Sequence, residues 1–269
     1  MNNTATTGSE WSLARYFERV GFTGTARADA GTLFDLHLAH TTHIPFENLD
    51  VFAGKPISLG RDALFDKLVT RRRGGYCFEM NGLFAHILRE LGFGVTELLA
   101  RCSIGGAYGA KTHEVLLVIT ADGARYLADV GFGNDGIAQP ITLEAGSVSE
   151  QCGAVYRIVT EPRYGYALER RELSADADAD FTVLYAFNIE ACPPEDFIVA
   201  NHYTSTHPSS FFRMIRFCTM PTPDGRVTLT ERRFRQMENG RVTETVIDSD
   251  AALAELMKNR FGLEDASAL

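Results

Sequence analysis

The sequence predicts an α+β protein built as three successive regions. Apolar residues recur at helical spacing up to about Leu91. Short apolar runs bounded by Gly, Asp and Pro follow from Val95. The remainder mixes a proline-started helix, hairpins and a closing helix. Of 269 residues, 45% are hydrophobic and 23% charged, the balance of a soluble globular chain.

Taken in order, residues 1–8 read as disordered. Ser9 is placed to cap a helix carrying Leu13, Tyr16, Phe17 and Val20, ended by Gly21. A second helix is expected over Ala30–His40, with Pro45 closing the region, and a third over about Arg61–Val69 with Leu64, Phe65 and Leu68 inward. In the fourth, Met80, Leu83, Phe84, Ile87, Leu88 and Leu91 share one face and Gly92 marks the stop. Gly74-Gly75 just before it suits a tight or left-handed turn. Five strands of an antiparallel barrel or sandwich are expected at Val95–Cys102, Glu114–Thr120, Arg125–Val130, Val155–Val159 and Phe181–Phe187. The alternating Ala and Asp of Ala175–Asp180 suit a solvated loop. Pro193-Pro194-Glu195-Asp196 has the proline and acids of a helix start. Three more strands, Arg213–Met220, Arg226–Arg235 and Arg241–Ile247, are turned by Pro223-Asp224-Gly225 and Asn239-Gly240. Ser249-Asp250 caps a last helix through Leu253, Leu256 and Met257.

The net charge is −9, the pI is near 5.3, and the densest basic run is Arg71-Arg72-Arg73. Nucleic acids and anionic membranes are therefore poor partners. Five cysteines, at 77, 102, 152, 192 and 218, form no CxxC and are odd in number. No signal core precedes Ser9 and no apolar run approaches the ~18 residues of a membrane span. These features suggest a cytoplasmic protein in a reducing compartment.

Cys77 falls at or just inside the N-terminus of the fourth helix, directly after a turn. Free N–H groups and the positive helix end there favour a thiolate and could hold a developing oxyanion. A lone cysteine is more commonly a small core residue, so the nucleophile reading needs a base and an orienting carboxylate. His113 stands at the mouth of the apolar run Val115–Ile119, and Asp129 lies in the next strand, where an acid needs a partner. A two-residue Asp122-Gly123 turn would set His113 opposite Phe132, with Asp129 on the other face. A three-residue loop, Ala121-Asp122-Gly123, sets His113 opposite Gly131 and makes Asp129 its diagonal neighbour on the same face, ~7–8 Å away between backbones. The glycine at the loop's end favours the second register. By themselves the two residues read first as an ordinary satisfied polar pair.

Arg73-Gly74-Gly75-Tyr76-Cys77-Phe78-Glu79-x-Asn81, Thr112-His113 and Asp129-Val130-Gly131-Phe132-Gly133 together resemble the arylamine N-acetyltransferase family. Ile44–Leu49 and Asn201–Pro208 support the resemblance in the same order. It implies a helical bundle (1–92), a central antiparallel β-barrel (93–192) and a C-terminal α/β lid (193–269), with a cysteine-protease or transglutaminase-like catalytic core. It implies Cys77 as nucleophile, His113 as base and Asp129 as orienting acid. The cosubstrate is then acetyl-CoA, with no metal. The acetyl group passes through acetyl-Cys77 to an arylamine or hydrazine in a ping-pong reaction, carried out by a monomer or homodimer. Coenzyme A contacts are implied at Gly106, Lys111, Thr112, Asn201, His207 and Ser209, and an aromatic acceptor pocket at Phe46, Phe78, Phe132 and Phe211. The segment Gly105–Thr112 would let a backbone approach phosphates, although it lacks Walker spacing and also suits a plain strand connection. Met80 and the acidic Asn134-Asp135 depart from many relatives, which leaves the acceptor preference open.

Two alternatives remain. A thiol hydrolase or an amide synthase could use the same three residues, and a binding module would require an inert Cys77. The spacing of His37, His40 and His43 suggests zinc, but the third drifts off the shared helix face and no HExxH accompanies it, so His40 and His43 read as structural.

Overall fold

The computed structural model describes residues 11–173 and 179–264. Helix α1 (Leu13–Val20) is capped by Ser12, whose side chain accepts from the Arg15 N–H, and closes on Gly21 in the left-handed region at φ 69°. The expected cap, Ser9, lies outside the described residues. Asp29 caps α2 (Ala30–His43), which runs almost one turn past His40 before Pro45. A short strand β1 (Phe46–Glu47) and a single helical turn α3 (Leu49–Phe52) follow, both unexpected because neither is long enough to show a period. Helix α4 (Arg61–Phe65) continues as one π-turn over Asp66–Thr70, and α5 (Cys77–Glu90) completes the region. Tyr16, Leu33, Leu36, Phe65, Leu83 and Phe84 form its core.

The second region is an eight-stranded antiparallel sheet. Its strands are β2 (Gly94–Ile104), β3 (Ala107–Ile119), β4 (Arg125–Ala128), β5 (Ile141–Thr142), β6 (Val148–Gln151), β7 (Ala154–Glu161), β8 (Gly165–Glu172) and β9 (Thr182–Phe187), in the order β5-β4-β3-β2-β9-β8-β7-β6. The sheet curls until it is nearly closed: the Gln151 side chain at the end of β6 accepts from the Ala138 and Gln139 N–H groups just ahead of β5, each at 2.8 Å. Leu98, Val115, Leu127, Tyr156 and Leu168 fill the interior. The outward Leu116, Val118 and Ala128 join the helical core, so α5 rests on the outside of the barrel. Strand β8 escapes a reading by hydrophobicity because Glu169-Arg170-Arg171-Glu172 is charged; Glu169 pairs with Arg157 at 2.6 Å and Arg170 with Glu172 at 2.8 Å. Most of the predicted Ala175–Asp180 loop lies outside the described residues.

Helix α6 (Pro194–Thr206) starts as its sequence predicts, with Pro194 and two acids in the first turn. A helical turn α7 (Phe211–Met214) takes the start of the expected Arg213–Met220 strand. Strands β10 (Phe217–Thr222), β11 (Gly225–Thr230), β12 (Arg233–Glu238) and β13 (Arg241–Val246) and helix α8 (Asp250–Phe261) follow. The single strand expected over Arg226–Arg235 is two, because the chain turns at Glu231-Arg232, with Glu231 at φ 53°. Two charged residues carry no glycine, proline or asparagine signal. Asn239-Gly240 does turn β12 into β13, with both residues at positive φ (49° and 74°), as a type I′ hairpin requires. The second sheet runs β1-β10-β11-β12-β13, so a strand from the helical region forms its edge.

A buried ion network links the segments ahead of Cys77. Lys67 Nζ lies 2.7 Å from Glu79 Oε1 and 2.9 Å from Asp50 Oδ2; Arg73 Nη2 lies 2.8 Å from Glu47 Oε1 and 3.5 Å from Asp50 Oδ1. Burial favours a neutral Asp50, but Lys67, Arg73 and Lys55 outweigh it and hold the carboxyl well below the usual range. A depressed folded-state pKa stabilises the protein above the unfolded value, and this contribution disappears as pH falls through the folded value. Lys67→Met leaves Glu79 and Asp50 short of their buried cation. It is expected to cost ~3–5 kcal/mol in urea unfolding at neutral pH, with the difference from wild type narrowing in acid. An equal loss at every pH would contradict this account.

Candidate active site

Cys77 is the first residue of α5. Its approach is set by steric fit. A Cβ on Gly74 would meet the Pro45 carbonyl oxygen at 2.1 Å, and one on Gly75 would meet Glu79 Cβ at 2.8 Å. The Gly75 carbonyl accepts from the Glu47 N–H at 2.9 Å. The two glycines permit close passage past β1; neither has positive φ, which occurs instead at Arg72 (52°). The Tyr76 N–H donates to Glu79 Oε2 at 3.1 Å, satisfying one free donor at the helix start.

The hairpin between β3 and β4 has the three-residue loop. Leu116 pairs with Ala128 and Ile119 with Arg125, and Gly123 takes φ 87°. In this register His113 Nε2 reaches Asp129 Oδ2 at 2.8 Å, with both side chains buried. A carboxylate only accepts, so Nε2 carries the proton and Nδ1 is the basic nitrogen. Thr112 is an extra residue in β3: Ala100 pairs with His113 but Arg101 with Lys111. Such a bulge re-aims the side chains beside it. Phe132 and Tyr185 pack on the imidazole, each with ring centroids 5.1 Å away.

Asn81, one turn after Cys77 on α5, fastens the helix to both strands. Its Nδ2 donates to the Glu114 carbonyl at 2.6 Å and to Asp129 Oδ1 at 3.0 Å, and its Oδ1 accepts from the Val130 N–H at 2.9 Å. Asp129 Oδ1 also accepts from the Gly131 N–H at 3.0 Å. Burial favours a neutral Asp129, but His113, Asn81 and Gly131 overcome it and hold the carboxyl below its ordinary range. The sequence reading quoted Asn81 and gave it no role; its i+4 spacing from Cys77 was the available signal. His37 was also overlooked as a support. Its Nδ1 donates to the Ala138 carbonyl at 2.9 Å, and Nε2 accepts from the Asp129 N–H at 3.1 Å. Burial lowers His37 to about 4, so the ring is neutral. His40 Nδ1 bonds Tyr16 Oη and His43 Nδ1 bonds the Ala39 carbonyl, each at 2.9 Å. Among the described residues no group of three metal-ligating side chains gathers.

Cys77 and His113 share a cavity of about 550 Å³, with Thr112, Phe132, Ser209 and Phe211 also in its wall. Among the implied coenzyme residues, only Thr112 and Ser209 face it. Asn201 is buried, accepting from Tyr76 Oη and donating to the Ile57 carbonyl at 3.1 Å. His207 stacks on Tyr203 and bonds Ser209. Gly106 lies in the β2–β3 turn, and Ala107–Thr112 is strand rather than loop. Lys111 faces a different cavity. Among the implied acceptor residues, Phe132 and Phe211 line the wall, and Phe212 joins them. Phe46 and Phe78 lie instead in the buried cluster that includes Cys77.

The helix end is one of several influences on the Cys77 thiol. The residue is 3% exposed, and burial, then Cys102 and Glu114, push its thiol well above the ordinary range; the Glu114 N–H directed at the sulfur works the other way. Solvent is therefore a poor acceptor for this proton. The sulfur lies 4.0 Å from the Thr112 carbonyl oxygen.

A sequence model described as N-acetyltransferase matches residues 29–268. The arylamine N-acetyltransferase of Mycolicibacterium smegmatis is 40% identical over 94% of this chain and 92% of its own length. The chain belongs to the arylamine N-acetyltransferase family. Human arylamine N-acetyltransferase 1 is 33% identical over 93% of each chain. The structure of Mycobacterium marinum arylamine N-acetyltransferase in complex with CoA superposes with a TM-score of 0.88 at 33% identity, covering 96% of this chain and 95% of that one. No helix among the described residues is long and apolar enough to cross a membrane.

Two outcomes test this site. A Cβ on Gly131 would lie 2.8 Å from Cys77 Cα and 2.9 Å from its carbonyl oxygen. Gly131→Ala should therefore separate α5 from the strand ends and lower the rate of Cys77 alkylation by iodoacetamide; an unchanged rate would refute the tight contact. If His113 is the base that accepts the thiol proton, as proposed below, His113→Gln removes that acceptor and leaves the buried surroundings of Cys77 to set its pKa. The alkylation profile should move to alkaline pH, past the ~8.5 of free cysteine, and a profile identical to wild type would show that His113 does not ionise Cys77.

Proposed function

We propose that this N-acetyltransferase moves the acetyl group of acetyl-CoA to arylamines and arylhydrazines by double displacement, with Cys77 as nucleophile, His113 as base and Asp129 as orienting acid. The observation that carries the assignment is the 2.8 Å His113–Asp129 bond beside a cysteine at a helix start, all at one cavity. His113 Nδ1 takes the thiol proton as sulfur attacks the thioester carbonyl. The tetrahedral oxyanion then collapses, the C–S bond to coenzyme A breaks, and His113 returns the proton to the departing thiolate. The Cys77 N–H, at the first helical position, is the candidate oxyanion donor. The amine attacks acetyl-Cys77, His113 accepts its proton, and the thiol is regenerated. A thioester intermediate stays reactive toward a weakly basic aryl nitrogen. Asp129 keeps Nε2 protonated throughout.

Thr112 and Ser209 are the proposed coenzyme contacts with cavity-facing positions; Phe132 and Phe211 offer an aromatic wall to the acceptor. The division into 1–92, 93–192 and 193–269 belongs to the same proposal, supported by the change from helix to strand after Leu91 and from strand to helix before Pro194. A cytoplasmic setting is supported by five cysteines, none in a disulfide. A monomer or homodimer suits a cavity walled by one chain.

Cys77→Ala and Cys77→Ser should abolish transfer while thermal unfolding stays close to wild type. Mass spectrometry of the wild type with acetyl-CoA should find one acetyl group, on Cys77. Double-reciprocal plots should be parallel as donor and amine are varied. Acetyl-CoA turnover to acetate without amine transfer would favour the hydrolase alternative, and intersecting lines with an active Cys77→Ala would remove Cys77 from the mechanism.

A further inference from the structure

Along β2 and β3, successive side chains serve two different cavities. Cys102, Ile104, Ala110 and Thr112 face the catalytic one. Leu99, Arg101 and Lys111 face a second, of about 300 Å³, completed by Arg163 and Tyr164 of the β7–β8 turn and by Phe187 at the end of β9. The two walls have no residue in common.

The second cavity is cationic in a chain of net charge −9. Arg101, Lys111 and Arg163 line it and no carboxylate does. The nearby Glu161 accepts from Tyr108 Oη at 3.0 Å and from the Arg163 N–H at 3.1 Å. Both guanidinium groups sit over the Tyr164 ring, each 5.1 Å from its centroid. This stacking holds two like charges together without a counter-ion. Arg101 Nη1 donates to the Gly109 carbonyl at 2.9 Å, but its Nε is buried with no hydrogen-bond partner. Leu99, Ala186 and Phe187 give the same cavity apolar wall.

We propose that this cavity binds a small organic anion, its carboxylate or phosphate oxygens held by Arg101, Lys111 and Arg163 and its apolar part laid on Leu99 and Phe187. Planar guanidinium donors suit either oxyanion, and the lysine adds a point charge. Lys111 therefore serves a site separate from the catalytic cavity, rather than the coenzyme contact that the family resemblance implies for it.

Isothermal titration calorimetry on the full chain, with benzoate and separately with inorganic phosphate at matched ionic strength, tests the proposal. At least one anion should bind at a single site, and Lys111→Met and Arg163→Gln should each weaken it about tenfold. Benzoate binding alone identifies a carboxylate with an apolar body; phosphate binding alone identifies a phosphate group. Arg163→Gln, on an exposed turn, should leave KM for acetyl-CoA unchanged. Three results would overturn the proposal: no binding of either anion at millimolar concentration, affinity that survives both substitutions, or a raised KM for acetyl-CoA in Arg163→Gln.

Discussion

The side chain of Asn81 is the joint on which the site depends. A helix and a barrel edge meet there, packed through Leu116, Val118, Ala128 and Val130, and Asn81 adds the directional contacts that apolar packing lacks. One carboxamide uses both ends at once, donating to the Glu114 carbonyl and Asp129 and accepting from the Val130 N–H. Since Cys77 is one turn earlier on the same helix, placing Asn81 also places the sulfur. Since Asp129 is its partner, placing Asn81 also places the carboxylate that holds His113. His37 braces the seam from the other side through the Asp129 N–H. Buried polar networks of this sort are costly when incomplete and specific when satisfied.

The proposed mechanism asks a buried thiol at this seam to serve as the nucleophile. Burial raises Cys77, while the charge and hydrogen bond of His113 help keep Asp129 ionised. In the proposed mechanism burial of Cys77 opposes loss of the thiol proton, and Asp129 offsets that cost by stabilising the imidazolium of His113. The fold secures this arrangement with two devices, the bulge at Thr112 and the close passage of Gly131 beneath Cys77.

Much of this was legible in the sequence where a local signal had one physical meaning. The period of Met80 to Leu91 gave α5, and the glycine ending Ala121-Asp122-Gly123 gave the register that joins His113 to Asp129. Signals were lost where tertiary contacts decided. Glu231-Arg232 turns the chain without a turn residue, β8 carries charges that pair across to β7 and along the strand, and α7 is too short to show a period. Within the site, the glycines of 105–112 read as a loop that holds Lys111 and Thr112 together, whereas β3 begins at Ala107 and its alternation sends the two side chains to different cavities. Gly74 and Gly75 were read as conformational freedom, whereas the structure uses their lack of side chains.

The central claim is that Asn81, Asp129 and His113 act as one unit on the first chemical step. A double-mutant cycle on the single-turnover rate of coenzyme A release tests it most directly, using wild type, Asn81→Ala, Asp129→Asn and the double variant, each checked for folding by circular dichroism. Groups that act as a unit are strongly non-additive. The account predicts a double variant little slower than Asp129→Asn alone. Losses that simply multiply would contradict it, and would make Asn81 a contributor to packing with no part in holding the catalytic carboxylate.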